Sequence, residues 1–338
     1  MALPNGHTQD LRRPWRETPL IHSTLLSKHA GCQIFLKLET LQPSGSFKSR
    51  GIGNFLLSHL SKVPSYERSK IHFYSSSGGN AGLACVHAAI TLGAPASIVV
   101  PLSTSAYMMD KIRAAGASDV IQFGASWVEA DTYLKDTIMP DAQNRGEIPV
   151  YVPPFDAQDI WDGHATLIPE ILAQLPSPPD ALVCSVGGGG LFCGLIQGLD
   201  IAGQSDTNVL AVETHGAHSL AFSLEHGALA TLPAITSIAT TLGARTVARQ
   251  AFEYGLRENV RSVVLSDWDA MEGCVRFADD ERIMVEAACG VSLALCYGGR
   301  LKRVLPALTR ESRVVVVVCG GSNVSVGMLG EWAKQITK

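Results

Sequence analysis

The stretch ALVCSVGGGGL, residues 181–191, joins a short apolar run to four consecutive glycines and then to an apolar segment of helical period. This pattern predicts a buried strand over 181–185, a glycine loop, and a helix over 191–199. Similar runs that end in small residues recur along the chain, and segments of helical period separate them. Such alternation is typical of an α/β fold with mostly parallel sheets covered by helices.

The same pattern predicts six further strands, at 34–38, 71–75, 97–100, 120–123, 209–213 and 313–318. The last contains five consecutive valines, Val314 to Val318. We expect it to be a central strand, because only a strand covered on both faces is apolar at every position. With 338 residues the chain exceeds the usual size of one hydrophobic core, so two domains are expected.

The composition is that of a globular enzyme, with 46% hydrophobic and 17% charged residues and a net charge of −4. No basic patch indicates a nucleic-acid partner, and no apolar run is long enough for a membrane span. The eight cysteines include no C-x-x-C pair and lie mostly in apolar or glycine-rich runs, which predicts reduced, buried thiols. We therefore expect a cytoplasmic protein, with a mitochondrial presequence as the alternative.

Lys48 lies among small residues in SGSFKSRG, residues 44–51, just before a helix predicted over 52–60. At a helix start, the helix dipole and partial burial both lower the pKa of a lysine. The neutral amine that results can condense with an aldehyde cofactor. The alternative is a surface lysine in a flexible loop, the usual environment of a lysine taken alone.

Three strands are followed by loops of small residues that suit anions. Gly187 to Gly190 precede a helix, where backbone N–H groups favour the phosphate of a small phosphoester, unless the stretch is only a flexible linker. SSSGGNAG, residues 75–82, can receive a carboxylate or form an ordinary helix cap. Cys319 follows the valine strand, where a lone buried cysteine usually serves packing. Because ligands bind at the carboxyl ends of parallel strands, we expect these loops to converge on one site.

Together the motifs SGSFKSRG, SSSGGNAG, SVGGGGL and VCGGSN resemble those of the fold-type II pyridoxal-phosphate enzymes, and among these the L-serine dehydratase/L-threonine deaminase family. The resemblance extends from about Thr18 to Val326. Further segments agree with it, namely PPFD (153–156), WDGH (161–164), ETHGAHS (213–219), ITSIA (235–239) and VEAACG (285–290).

The resemblance implies a tryptophan synthase β-like fold with two open, twisted, mostly parallel sheets flanked by helices. A large cofactor-binding domain would comprise residues 1–41 and 155–338, and a small substrate-loop domain residues 42–154. The cofactor, pyridoxal 5'-phosphate, would lie in the cleft between the two domains.

The resemblance also implies roles for individual residues. Lys48 would bind the cofactor covalently and act as the base on the substrate α-proton. Phe47 would pack beside the cofactor ring, and Cys319 would face its pyridine nitrogen. The phosphate would be bound by Gly187, Gly188, Gly189, Gly190 and Leu191. The substrate carboxylate would be received by Ser77, Gly78, Asn80 and Ala81. Ser77 and Gly78 would also be catalytic. Asn80 would also reach the phenolic oxygen of the cofactor.

A potassium site is implied at Glu213, Ala217 and Ser219, with backbone carbonyls near Leu242 and Ala244. Two positions depart from the family pattern. Ala287 replaces a proline, and Gly78 stands where relatives have alanine or serine. Glycine at position 78 is expected to leave room beside the substrate β-carbon and to affect the preference between serine and threonine.

The implied activity is β-elimination from L-serine and L-threonine, giving pyruvate or 2-oxobutyrate and ammonia. Such a lyase would serve amino-acid catabolism and gluconeogenesis, would act as a homodimer, and would have no nucleic-acid or membrane partner. Isoleucine feedback is not expected, because no regulatory domain follows the last motif. Three alternatives are a serine racemase, a β-replacement synthase that makes cysteine, and a cofactor-binding protein without turnover. A racemase would lack its second acid, since Gly78 takes the place of the serine.

Overall fold

The computed structural model describes residues 11–337. The first ten residues, on which the presequence alternative depends, lie outside the described residues. Contacts between Cα atoms divide the chain into two compact units. The smaller unit contains Ile52–Pro154 with the segment up to Trp15, and the larger unit contains Arg16–Gly51 and Phe155–Lys338. The assignment of one domain to the cofactor and one to the substrate loop stays a prediction.

Each unit contains one sheet. Within residues 11–337, the larger unit has the strands β1 (Leu20–Ser23), β2 (Gln33–Lys37), β7 (Ala181–Ser185), β8 (Asn208–Thr214), β9 (Val260–Leu265) and β10 (Arg313–Val317). Their order is β1-β2-β10-β7-β8-β9, and every pair is parallel except β1 with β2. The smaller unit has β3 (Ile71–Ser75), β4 (Ala96–Val100), β5 (Asp119–Gln122) and β6 (Ile148–Tyr151). These four strands are all parallel, in the order β5-β4-β3-β6.

Helices connect and cover these strands. They are α1 (Thr24–Ala30), α2 (Lys48–Lys62), α3 (Asn80–Leu92), α4 (Ala106–Ala114), α5 (Trp127–Tyr133), α6 (Met139–Asn144), α7 (Gln158–Ala165), α8 (Leu167–Gln174), α9 (Gly190–Ile201), α10 (Ser219–Glu225), α11 (Arg249–Gly255), α12 (Asp267–Glu281), α13 (Ala287–Ala294), α14 (Arg300–Val304) and α15 (Val326–Ile336). A π-helical turn, Leu134–Ile138, follows α5. No helix within residues 11–337 is both long and apolar enough to cross a membrane.

The valine run forms the centre of the larger sheet, as predicted. β10 lies between β2 and β7, with Val315 opposite Phe35 and Leu182. Val314 to Val318 are fully buried, because the strand is covered on both faces. The loop at its carboxyl end is thereby attached to a buried central strand.

All seven predicted strands are confirmed, and three strands were missed. β1 and β9 lie at the two edges of the larger sheet. Each mixes buried and exposed residues and therefore lacks a continuous apolar run. β6 contains Pro149 and lies at an edge of the smaller sheet, where proline is tolerated. The predicted helix 52–60 begins four residues earlier, at Lys48. All eight cysteines are buried, as expected, and none forms a disulfide.

Candidate active site

Lys48 is the first residue of α2, and its motif is fixed by internal hydrogen bonds. The Ser44 N–H donates to Ser49 Oγ over 3.1 Å, and the hydroxyl oxygens of these two serines lie 2.8 Å apart. Burial lowers the pKa of Lys48 from 10.5 to about 8, because the charged ammonium loses solvation. The prediction that Lys48 lies at a helix start is confirmed, and the lowered pKa has the expected direction.

The loop after β10 lies against the lysine motif. The Phe47 N–H donates to the carbonyl oxygen of Cys319 over 3.1 Å, and the Gly321 N–H donates to that of Gly45 over 2.9 Å. Since β10 and β7 are parallel neighbours, the loops at their carboxyl ends share one edge of the sheet. The larger unit therefore brings together Lys48, Cys319 and the loop after β7.

That loop is the glycine loop, Gly187 to Gly190, and its conformation excludes side chains. A β-carbon on Gly188 would lie 2.3 Å from the ring of Phe155. Gly189 has a φ of +91°, and a β-carbon there would lie 2.4 Å from that of Ala251. Gly190 begins α9, followed by the buried Leu191, and the first N–H groups of a helix have no intrahelical acceptors. The glycine loop thus presents a row of backbone donors at a helix N-terminus, where an anion is favoured.

The ring of Phe47 packs on His164, with centroids 5.1 Å apart and planes inclined by 48°. His164 is fully buried, and within the described residues neither of its ring nitrogens has a hydrogen-bond partner. Burial keeps the pKa of His164 well below its usual value, so the ring is neutral. A β-carbon on Gly51 would lie 2.4 Å from His164 Nε2. His164 therefore packs closely against Phe47 and against the first turn of α2.

The serine loop, residues 76–79, joins β3 to α3 in the smaller unit. Ser77 Oγ accepts a hydrogen bond from the Gly79 N–H over 3.3 Å. Asn80 begins α3 and is 7% exposed, and Ala81 beside it is buried. The residues predicted to receive the substrate carboxylate therefore lie at one strand-to-helix turn, and their roles stay predictions.

Gly78 has less free space around it than the sequence suggested. A β-carbon at this position would lie 2.8 Å from Thr104 Cγ2 and 3.1 Å from Val100 Cγ1. Contacts this short require a neighbour to move. The Thr104 methyl group thus already fills the direction that a side chain at position 78 would take, and no local pattern connects these two positions.

Glu286 is a buried carboxylate near Lys48 that was not among the predicted site residues. Its carboxyl group accepts hydrogen bonds from the Thr241 hydroxyl and from the Asn323 N–H, the latter over 3.1 Å. Its negative charge favours the protonated amine and so offsets part of the burial effect on the pKa of Lys48. The sequence signal that could have identified Glu286 is an acidic residue directly before the small residues of VEAACG, residues 285–290.

A cluster of buried charges fixes the first turn of α2, two residues after Lys48. Arg50 Nε lies 2.8 Å from Glu39 Oε2, and Arg50 Nη2 lies 2.6 Å from Glu170 Oε2. Lys37 Nζ lies 2.8 Å from the same Glu170 oxygen. The side chains of Arg50, Glu39 and Lys37 are fully buried. Paired charges of this kind are costly to break, so the cluster holds the helix start in place.

The five residues predicted to form a potassium site all lie in the larger unit. Glu213, the last but one residue of β8, has a fully buried side chain that accepts hydrogen bonds from the N–H groups of Leu220 and Ala221 over 2.9 and 2.8 Å. Burial raises the pKa of Glu213 from 4.5 to about 8. Ionisation of this carboxyl group is therefore unfavourable unless a positive charge lies nearby.

This region also supports the glycine loop. Ser219 Oγ donates to the carbonyl oxygen of Gly187 over 3.4 Å, and a β-carbon on Gly187 would lie 3.0 Å from the Cα of Leu242. The Leu242 carbonyl also accepts the Ala244 N–H over 2.8 Å. A cation bound among these groups would thus be adjacent to the glycine loop.

The chain belongs to the pyridoxal-phosphate dependent enzymes, since the family of that description matches residues 11–320. Among its relatives are the catabolic L-serine/threonine dehydratase of Saccharomyces cerevisiae, 42% identical over 94% of this chain and 90% of that protein, and the L-serine dehydratase/L-threonine deaminase of Bos taurus, 44% identical over 95% of each. The crystal structure of a fungal L-serine ammonia-lyase from Rhizomucor miehei is similar, with a TM-score of 0.87 and 36% identity over 96% of this chain and all of that one. The implied family and fold are confirmed.

The residues of the larger unit fit pyridoxal phosphate. Lys48 supplies an amine of lowered pKa for the aldehyde, and the glycine loop supplies N–H donors for the phosphate. Cys319, buried at the end of β10, offers a thiol beside the lysine motif. Pyridoxal phosphate carries an aldehyde, which suits Lys48, and a phosphate, which suits the glycine loop.

Proposed function

We propose that this protein is an L-serine ammonia-lyase that also acts on L-threonine, releasing ammonia with pyruvate or 2-oxobutyrate. The observation that carries the proposal is Lys48, a lysine at a helix start whose pKa is lowered to about 8 and whose motif is bonded to the Cys319 loop. Relatives 42% and 44% identical over almost their whole length are named for serine and threonine dehydration, which supports this substrate class.

The bound cofactor supplies an aldehyde for the substrate amine and a ring that stabilises negative charge at the substrate α-carbon. Lys48 Nζ accepts the α-proton, and the nearby carboxylate of Glu286 stabilises the ammonium that forms. With a pKa of about 8, a useful fraction of Lys48 is neutral at physiological pH. The glycine loop holds the phosphate, while Ser77, Gly78, Asn80 and Ala81 receive the substrate carboxylate.

The test is release of keto acid and ammonia by the purified holoenzyme from L-serine, L-threonine and D-serine. We expect release from both L-amino acids. Lys48→Ala should lower the rate at least about a thousandfold, because it removes both the cofactor attachment and the base. Borohydride reduction followed by peptide mapping should place the cofactor on Lys48. Lys62→Ala, an exposed lysine at the other end of α2, is the matched control and should retain full activity.

Other outcomes identify the alternatives. Formation of D-serine from L-serine would indicate a racemase, and cysteine formed only when sulfide is added would indicate a β-replacement synthase. Bound cofactor without any product would indicate a protein without turnover. An active Lys48→Ala protein with cofactor attached elsewhere would contradict the assignment of Lys48.

We also propose that Glu213, Ala217 and Ser219, with the carbonyl groups of Leu242 and Ala244, bind potassium. A fully buried carboxyl group whose pKa is raised to about 8 supports this, since a bound cation would compensate its charge. Because Ser219 and Leu242 contact Gly187, the cation would stabilise the phosphate-binding loop from behind.

We further propose a cytoplasmic homodimer that serves amino-acid catabolism and gluconeogenesis. Eight buried, unpaired thiols support a reducing compartment. Sedimentation velocity of the holoenzyme should give the mass of two chains, and a monomer at micromolar concentration would contradict the dimer. Cell fractionation tests the compartment, and recovery with mitochondria would contradict it.

A further inference from the structure

A buried carboxylate, Asp131, lies beneath the serine loop in the smaller unit. Ser76 Oγ donates to Asp131 Oδ1 over 2.6 Å, and the Tyr151 hydroxyl donates to the same oxygen over 2.7 Å. Lys135 Nζ donates to the other carboxylate oxygen over 2.7 Å. The three donors come from the serine loop, from β6 and from the π-helical turn after α5, so Asp131 connects three parts of the smaller unit.

Ser76 depends on this carboxylate because it has almost no access to water. Ser76 is 1% exposed and Asp131 is 7% exposed. A buried hydroxyl that loses its acceptor is strongly disfavoured, so without Asp131 the start of the loop would have to rearrange. The charge of Asp131 is compensated by Lys135, whose ammonium also lies 4.1 Å from the centre of the Tyr151 ring.

We propose that Asp131 is a positioning residue for substrate binding: by holding Ser76, it fixes the backbone of Ser77 and Gly78, where the substrate carboxylate is received. This inference rests on the proposed function. Ser76 is the first residue after β3, and only Ser77 to Gly79 separate it from α3. Because this segment is short and both of its ends are fixed, a displacement of Ser76 also displaces Ser77 and Gly78.

The buried pair Ser97 and His72 provides a matched control in the same unit. Ser97 is 4% exposed, and its hydroxyl lies 2.9 Å from His72 Nε2, so it too is a buried serine bonded to a titratable side chain. It belongs to β4 and not to the serine loop. Loss of its hydroxyl should affect the stability of the unit without affecting the binding of the substrate.

The experiment measures kcat, KM for L-serine and cofactor affinity for the holoenzyme and its variants. We expect Ser76→Ala and Asp131→Leu each to raise KM about tenfold, with kcat changed less than about threefold and cofactor affinity unchanged. Asp131→Asn keeps an acceptor oxygen for Ser76 and should restore KM to within about threefold of wild type. The double variant Ser76→Ala/Asp131→Leu should raise KM no more than Asp131→Leu alone, since that variant already removes the hydrogen bond between Ser76 and Asp131. Ser97→Ala should leave KM unchanged.

Provided that the wild-type protein is active, two results would overturn the role of Asp131. One is an unchanged KM in Ser76→Ala, a small substitution that decides the question even where Asp131→Leu does not fold. The other is an equal rise of KM in Ser97→Ala, which would mean that any buried polar loss in this unit has the same effect. A wild-type protein that releases no keto acid would instead overturn the proposed function itself.

Discussion

The glycine loop of the larger unit and the serine loop of the smaller unit connect the same elements, a buried parallel strand and a buried helix, but they are held in different ways. The glycine loop is enclosed mainly by carbon atoms: a β-carbon would lie 2.3 Å from the Phe155 ring at Gly188 and 2.4 Å from the Ala251 β-carbon at Gly189. Oxygen atoms hold the serine loop, through the bond from Ser76 to Asp131 and the Ser77 hydroxyl.

The difference matches the two ligands that we assign to these loops. A cofactor phosphate has one size and stays bound, so close packing that fixes the N–H donors suits it. A substrate carboxylate enters and leaves at each turnover, so it needs less tight binding, and a few hydrogen bonds that position the loop suit it. We therefore expect substitutions in the glycine loop to have larger effects than substitutions in the serine loop.

The largest effect is expected from Gly188→Val. Its side chain would overlap the Phe155 ring, since even a β-carbon would lie 2.3 Å from that ring, and the loop would have to move. We expect cofactor affinity to fall about a hundredfold or more, measured by titrating the apoenzyme. Gly330→Ala is the control, because this exposed glycine in α15 has no atom within 4 Å of a β-carbon. Equal cofactor affinity in Gly188→Val and wild type would remove the contrast between the loops.

A smaller effect is expected from Gly78→Ala in the serine loop. The new methyl group would lie 2.8 Å from Thr104 Cγ2, so the loop or Thr104 must shift by a few tenths of an ångström. We expect kcat/KM to fall about tenfold, and more for L-threonine than for L-serine because of the additional methyl group of threonine.

The double variant Gly78→Ala/Thr104→Ser removes the Thr104 methyl group and should recover most of the lost kcat/KM. Parallel assays with both substrates, together with cofactor titration, separate a substrate effect from a general one. If the added Thr104→Ser substitution restores none of the lost kcat/KM, the contact between positions 78 and 104 is not the cause of the loss.

The smallest effect concerns the polar groups behind the glycine loop and appears as a pH-dependent stability. The pKa of Glu213 is raised from 4.5 to about 8 in the folded protein, so its contribution to stability is fully present below pH 4.5 and is lost as the pH rises to about 8. Potassium bound to the ionised carboxylate would offset this loss. We therefore expect the increase of Tm with added potassium chloride, compared with a non-binding salt, to grow by a few degrees from pH 6 to pH 9.

Glu213→Gln should abolish the potassium-dependent part of this increase, whereas Glu258→Gln, which alters an exposed carboxylate in the same unit, should preserve it. A potassium effect that is the same in all three proteins would place the cation elsewhere.

Local sequence patterns predicted the parts of the site that depend on neighbouring residues. The strand, glycines and helix of residues 181–191, the helix start at Lys48 and the valine strand each carry their signal within about ten residues. The packing around the glycine loop did not appear in the sequence, because Phe155 lies 33 positions before Gly188 and an ordinary phenylalanine has no distinguishing context.

The supports of the serine loop were missed for a similar reason. Asp131 is 55 positions from Ser76 and lies in a helix of unremarkable composition. Gly78 was expected to leave space, and only the three-dimensional structure reveals that the Thr104 methyl group fills the direction of its β-carbon. Pairings of this kind depend on how β3, β4 and α5 are brought together, which local periodicity does not specify.

The buried charges around Arg50 also constrain the order in which the chain can fold. Arg50 and its partner Glu170 are 120 positions apart, and the segment Ile52–Pro154 of the smaller unit is synthesised between them. Until α8 has packed, Arg50 and Lys37 would be buried with too few counter-charges, so the start of α2 stays solvated. A ribosome-bound chain that ends before Glu170 lacks one of the two carboxylates that pair with Arg50, and it also lacks the glycine loop, so we expect it to bind the cofactor only after the second half of the chain has emerged.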